Sequence, residues 1–199
     1  MSAVLLTRYK IADLSAWTAL ETGRRLVPPG CALHRLVRED LYLFEPDAGA
    51  APAGFEGPLR HAIESSNFFV NPNKERYRFL TSSGRGESLA APEGAWGILA
   101  RPRDDTRDEG LRERLSREHP IDGLGAIRRA RVWWLWTEGP DGRSAMKECY
   151  EQIGPVTGVR RGLLVNPHAE SDLRIEGSVP WRAVEAFLVQ AAPPVRSAA

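Results

Sequence analysis

The sequence predicts an α+β protein made of two tandem β-α-β-α-β units that pair about a pseudo-twofold axis, their sheets carrying helices on one face. Three observations lead there. The segment Phe68-Phe69-Val70-Asn71-Pro72-Asn73-Lys74-Glu75 returns as Leu163-Leu164-Val165-Asn166-Pro167-His168-Ala169-Glu170, with Glu four places after Asn both times. Reading backwards from each Asn-Pro gives the same order of strand and helix patterns. A unit of about 80 residues buries too little core to be comfortable alone, so two are expected to cover each other.

In the first half, Val4 to Thr7 reads as a strand. Asp13 is placed to cap a helix whose Leu14, Trp17 and Leu20 form its inward face. Leu33 to Phe44 alternates as one long strand, the Ala48 to Gly57 stretch AGAAPAGFEG reads as a loop, and Leu59, Ala62 and Ile63 form a short helical stripe. Tyr77 to Leu80 closes the unit. In the second half, Trp96 to Ala100 is strand-like, and Thr106 with Glu109 makes a capping-box pair ahead of Leu111 and Leu115. Arg131 to Trp136 alternates, with Val132, Trp134 and Trp136 on one face and Trp133 and Leu135 on the other. Met146, Cys149, Tyr150 and Ile153 fall at i, i+3, i+4 and i+7, one stripe of a helix. Arg161 to Val165 reads as a strand running into the second Asn-Pro, and Leu173 and Ile175 alternate beyond it. The boundaries are a first repeat over 1–82, a linker over 83–94, a second repeat over 95–178, and a C-terminal helix and tail over 179–199. In that helix Trp181, Val184, Phe187 and Leu188 face inward.

Composition narrows the function classes. Of 199 residues, 42% are hydrophobic and 27% charged, with a net charge of +1. That balance lacks the basic excess of a nucleic-acid footprint. No apolar run approaches the roughly 20 residues that span a bilayer, and MSAVLLTRYK reads as a first strand rather than a leader. Cys31 and Cys149 lie in different halves without metal or CxxC spacing, as do the scattered His34, His61, His119 and His168, so two reduced thiols in a cytoplasmic protein are expected and no metal site. Nucleophile elbows, phosphate loops and zinc-protease signatures are missing, and Asp104-Asp105 has no base or metal partner near it in sequence. The chain is expected to do no chemistry alone.

The Asn-Pro segments carry a resemblance. Members of the PurS family, the small subunit of phosphoribosylformylglycinamidine synthase, close with a Leu-Leu-Ala-Asn-Pro-Val-Ile-Glu-Asp-Tyr-Arg pattern. Here Asn71, Pro72, Glu75, Tyr77 and Arg78 match it in register. The second half keeps Leu163, Leu164, Asn166, Pro167 and Glu170 but has Asp172 in place of Tyr. The family also opens its first helix after a Pro- and Gly-containing stretch. The second half resembles that from Arg101-Pro102 through Asp105 to Gly110, then Ile121 to Leu124 and Arg131-Val132; Lys10 to Asp13 in the first half does not. The Trp cluster and the longer AGAAPAGFEG excursion depart from the family. The resemblance implies a cytoplasmic, non-catalytic subunit of purine biosynthesis that bridges a glutaminase and a synthetase and supports ammonia transfer between them. ATP and magnesium would then belong to the synthetase and no cofactor to this chain. It leaves further self-association open.

The residues also have plainer readings. Asn-Pro is a turn starter in its own right, and Glu75 and Glu170 could be turn carboxylates rather than interface charges. The Trp strand reads as core ahead of docking patch. Arg128, Arg129 and Arg131 read as a solvated edge, which Arg160 and Arg161 could join to hold an anion. Two other functions stand beside the first: a diverged adaptor or ligand-sensing module of the same fold, and a small enzyme using a cleft between the halves, with His34 or His61 as its acid-base group.

Overall fold

The computed structural model describes residues 2–27, 32–81, 83–84, 86–138, 142–155 and 162–190. It is a mixed α+β protein with an antiparallel sheet and, among these residues, five helices. The first half runs β1 (Ala3–Tyr9), α1 (Leu14–Leu26), β2 (Ala32–Pro46), α2 (Pro52–Ser65) and β3 (Glu75–Leu80). A short β4 (Ser88–Ala90) lies within the expected linker. The second half runs β5 (Trp96–Pro102), α3 (Glu109–Glu118), β6 (Leu124–Glu138), α4 (Gly142–Ile153) and β7 (Glu170–Glu176), followed by β8 (Ser178–Pro180) and α5 (Trp181–Val189).

Six strands form one sheet in the order β3-β1-β2-β6-β5-β7, every neighbouring pair antiparallel. The two longest strands, β2 and β6, meet at its centre from Ala32 opposite Glu138 to Pro46 opposite Leu124, with Asp40 opposite Arg131 midway. The expectation that one half covers the sheet face of the other is therefore corrected. The halves join edge to edge, because β2 and β6 are both long and apolar enough on alternate positions to pair along their length, with register shifts only near the ends, at Leu33/Arg35 and Glu45/Pro46.

Four helices lie on one face, in two pairs that each draw one helix from each half. Ala16 and Ala19 of α1 pack with Met146, Cys149, Tyr150 and Ile153 of α4 over Leu33, Leu36, Ile98, Trp133 and Leu135. Phe55, Leu59, Ala62 and Ile63 of α2 pack with Leu115 of α3 over Leu5, Tyr42, Phe44 and Ile127. The opposite face presents Val4, Leu6, Leu41, Leu43, Val132, Trp134 and Ile175, covered by Trp181, Val184 and Leu188 of α5 and by Leu89 of β4. Helices on a single face are thus the rule for α1 to α4 only. The fifth helix covers the second face, held there by the β4–β8 ladder that ties its start to the linker.

Several local expectations are corrected in the same way. Leu14 and Trp17 point outward (74% and 60% exposed), and α1 instead buries Ala16, Ala19 and Gly23. Small residues let this helix sit close; a Cβ on Gly23 would stand 2.8 Å from Leu33 Cδ2. The AGAAPAGFEG stretch is not all loop: α2 starts at Pro52, and Phe55 is fully buried. Proline is compatible with the first helical turn, and the Phe55–Leu59–Ala62 stripe supplies the burial that makes the turn helical. The N-cap of α3 is Asp108, whose carboxylate accepts from Leu111 N (2.9 Å), and not Thr106. Thr106 is buried, donating to Leu188 O (2.6 Å) and accepting from Arg128 (3.0 Å). Residues 162–165 are turn and bend rather than strand, while Arg160 and Arg161 lie outside the described residues, as do Cys31 and the tail over 191–199. Cys149 is fully buried.

The Trp strand follows its sequence pattern. Trp133 and Leu135 enter the helix-covered face, and Val132 and Trp134 the other, all at 4% exposure or less. Trp134 Nε1 donates to the buried Glu39 carboxylate at 2.9 Å. Opposite it in β5 stands Gly97, where a Cβ would lie 2.4 Å from Trp134 Cζ3. Glycine is required there because the indole lies flat across the neighbouring strand.

Candidate functional site

The two Asn-Pro turns are built alike, bond for bond. At the first, Asn71 N donates to Glu75 Oε2 (2.7 Å), Asn71 Oδ1 accepts from Asn73 N (3.1 Å), and Asn71 O accepts from Lys74 N and Glu75 N. At the second, Asn166 N donates to Glu170 Oε2 (2.8 Å), Asn166 Oδ1 accepts from His168 N (3.0 Å), and Asn166 O accepts from Ala169 N and Glu170 N. The spacing of Asn and Glu is explained locally. The Asn side chain closes an Asx turn, Pro72 or Pro167 presets the next φ, and the Glu carboxylate reaches back to the one amide left over. The preceding residue anchors each turn in the core, Val70 at 2% and Val165 at 1% exposure.

The turns open β3 and β7, the two outermost strands, so the sheet keeps them apart by five strand spacings, about 24 Å. The remaining matched residues spread out from them. Tyr77 is at the surface, its hydroxyl donating to Glu64 Oε1 (3.2 Å); burial and the Glu64 charge push its pKa up. Arg78 reaches Glu39 (3.3 Å) on the opposite face of the sheet. Arg101 is buried at 3% exposure beneath Phe187, 4.9 Å from the ring, where burial and Arg128 pull its pKa down. It presents no surface to a partner. Asp105 is exposed beside Arg107, accepting from its amide (2.9 Å), and Gly110 sits in the first turn of α3 with room for a side chain.

A cleft of about 270 Å³ runs along the sheet at the β2–β6 junction, lined by Asp40, Asp105, Asp108, Glu170, Arg129 and Arg131 among others. Arg128, Arg129 and Arg131 belong to a central strand, which corrects their reading as a solvated edge. Each is matched by acids that are distant in sequence: Arg128 with Glu45 (2.7 Å), Arg129 with Asp108 (3.1 Å), and Arg131 with Asp40 and Glu170 (both 3.9 Å). Arg129 also lies over Tyr42. The first half has a counterpart in Asp13, the N-cap of α1, which holds Arg38 of β2 at 3.0 Å as Asp108 holds Arg129 of β6. With its carboxylates engaged by cations or amides, the cleft can fix helices to strands but offers no free base. His34 lies at the far end of β2 beside Glu138, and His61 is exposed on α2; neither lines this cleft.

Sequence reasoning missed the main exposed apolar surface. Tyr9, Ile11, Leu14 and Trp17, between 39% and 74% exposed, cluster where β1 passes into α1, beside a groove of about 230 Å³ floored by Leu20 and Leu36. Of these, Leu14 and Trp17 have the spacing of an inward helix face, which the structure turns outward. The signal available was the alternative small-residue stripe Ala16-Ala19-Gly23 on the same helix.

Among the described residues no group of three or more His, Cys, Asp and Glu could hold a metal, and no helix is long and apolar enough to cross a membrane. No family model, no curated protein and no solved structure matches this chain.

Proposed function

We propose that the chain is a tandem of two homologous β-α-β-α-β units and acts as a non-catalytic bridging subunit of a glutamine-dependent phosphoribosylformylglycinamidine synthase. The observation that carries it is the pair of identical Asn-Pro-x-x-Glu turns, each opening the outer strand of its half. The central register supports the tandem. Aligning the halves through their strand pairings sets Leu36 against Ile127 and Phe44 against Leu135. In the sheet Leu36 pairs with Leu135 and Phe44 with Ile127, the exchange expected of a local twofold through Asp40 and Arg131. The N-cap aspartates Asp13 and Asp108, each holding a strand arginine, obey the same relation.

Under this reading the chain supplies in one piece the two small subunits that such an amidotransferase uses. The exposed Ile11, Leu14 and Trp17 provide the apolar contact for the synthetase, since a clustered exposed patch of this kind marks interaction surfaces. Catalysis, ATP and magnesium reside in the partners.

The test is paired. Product formation by a cognate synthetase and glutaminase is measured with glutamine and with bulk ammonium, each with and without this protein. Rescue with glutamine alone is the expected result. The Leu14→Lys/Trp17→Glu variant is expected to abolish co-elution with the partners while changing folding stability by no more than about 0.5 kcal/mol, as for surface positions generally. If the protein alters neither rate and joins no complex, the purine role is lost and the adaptor reading replaces it.

A further inference from the structure

On the face of the sheet opposite the four helices, one strand pairing sets two arginines together without an acid for either among the described residues, whereas the bridged Arg107 and Arg128 each hold a carboxylate. Arg8 of β1 stands directly opposite Arg76 of β3, and Arg78 lies one step along, opposite Leu6. Like charges facing each other across an antiparallel pair destabilise it, their Cβ atoms being only about 5 Å apart. Most arginines here have a carboxylate or a ring beside them, yet among the described residues neither Arg8 nor Arg76 has an ion pair. Glu39, the acid lining the same groove, is 5% exposed and already engaged by Trp134 Nε1 and Arg78 through the same oxygen. Two positive charges are left uncompensated at one spot.

That spot is concave. Arg8, Arg76 and Arg78 line a groove of about 500 Å³, walled by Leu6 and by residues 90–92 where the chain leaves β4. A volume of this size is typical of small-molecule sites. The other half shows what the same place looks like without the conflict. There Arg101 of β5 faces Ser171 of β7 and is sealed beneath Phe187 of α5. In the first half no helix among the described residues covers the pair, and arginine stands where serine would relieve it.

Charges on an edge strand deter sheet extension, and this accounts for Arg76 and Arg78 on β3. It does not account for Arg8, which lies on the inner strand β1, one residue beyond the last β1–β2 partner Thr7 and paired with β3. A dianion set between the two guanidinium groups converts the repulsion into two charge-assisted contacts, and arginine's planar fork suits a phosphate. We propose that this groove binds a small phosphate monoester, its phosphate held by Arg8 and Arg76 and its organic part lying along Leu6 and Pro92. The inference stands apart from the amidotransferase reading, because it involves no partner protein.

Isothermal titration calorimetry of the full chain at low salt tests it, with inorganic phosphate, ribose 5-phosphate, AMP, ribose and adenosine as probes. The phosphate esters are expected to bind, inorganic phosphate more weakly, and the unphosphorylated compounds not at all. Binding should weaken as salt is added, since the contacts are partly solvent-exposed. Arg8→Gln and Arg76→Ser should each weaken binding about tenfold or more, whereas Arg117→Ser, an exposed arginine on α3, should leave it unchanged. Arg76→Ser should also keep or raise the thermal midpoint of the ligand-free protein, which separates a lost ligand contact from a lost fold. The proposal is overturned if no phosphorylated probe binds at concentrations up to about 10 mM, beyond the weakest range of specific affinities. Ester binding that survives the Arg8→Gln/Arg76→Ser double variant overturns it equally. So does tight binding of a single-stranded oligonucleotide with none of AMP.

Discussion

Gly97 and Trp134 make a coupled pair whose energetics follow from their geometry. A methyl at position 97 would meet Trp134 Cζ3 at 2.4 Å, Cε3 at 2.8 Å and Ile175 Cβ at 3.1 Å. Both indole atoms belong to a ring that is 1% exposed and cannot swing aside. Overpacking of this kind costs about 1–3 kcal/mol, offset by about 0.4–1 kcal/mol from the stiffer unfolded chain, so Gly97→Ala should destabilise by about 1–2 kcal/mol. Trp134→Leu removes the six-membered ring and the donor to Glu39, and should cost about 3–5 kcal/mol from cavity and lost charged hydrogen bond together. With the ring gone the methyl has space, so Gly97→Ala should then cost about 1 kcal/mol less than in the wild type. Urea unfolding followed by circular dichroism, with unchanged m values, measures all four corners of the cycle. Additivity within about 0.5 kcal/mol would refute the claim that the glycine exists to admit the indole.

Other outcomes follow from features already described. Asn71→Ala and Asn166→Ala should each destabilise by about 1 kcal/mol, the cost of losing a side-chain cap, and by similar amounts, since the turns are bonded alike; clearly unequal losses in thermal unfolding would argue against their equivalence. Tyr150 is buried, with a hydroxyl that has no hydrogen-bond partner among the described residues, and burial together with the Asp172 charge pushes its pKa above the ordinary tyrosine value. The unfolded side chain ionises near pH 10, so this group's contribution is constant below about pH 10 and is lost as pH rises beyond it. Tyr150→Phe should therefore be close to neutral at pH 7 and should flatten the alkaline fall in stability by up to about 1.4 kcal/mol per pH unit; an unchanged slope in alkaline denaturation would contradict the assignment.

The strands and α4 were legible in the sequence because their signals are local. Alternation from Val132 to Trp136 and the Met146–Cys149–Tyr150–Ile153 stripe state which side is buried, and the structure buries those sides. The α1 face was misread because Leu14 and Trp17 outweigh Ala16, Ala19 and Gly23 in apolar mass, although close helix packing selects small residues. The start of α2 was hidden by Gly54, Gly57 and Pro58, residues that argue against a helix until Phe55 and Leu59 find a core to fill. The arginines of β6 looked like an edge because their acids, Asp40, Glu45, Asp108 and Glu170, are distant in sequence. The opposed Arg8 and Arg76 were invisible for the same reason, since only the register between β1 and β3 brings them together. The Asn-Pro turns lie at the other extreme. The bonds between Asn and the following residues up to Glu are made within four residues, so the motif could be read directly, whereas the contacts from Lys10 and Arg103 that seat it against the sheet could not.

The central β2–β6 ladder has a consequence for how the molecule can be divided. Its partners run from Ala32 with Glu138 to Pro46 with Leu124, and the Ala32–Glu138 end is the most non-local pairing in the sheet, so it closes the largest loop during folding. A chain cut within residues 83–94 would leave each fragment with one edge of a 15-residue strand bare. Such an edge recruits whatever strand can match it. Mixed fragments should therefore rebuild the parent sheet by complementation. A solitary fragment should find its own twin, forming a twofold dimer through the seam that the intact chain keeps to itself.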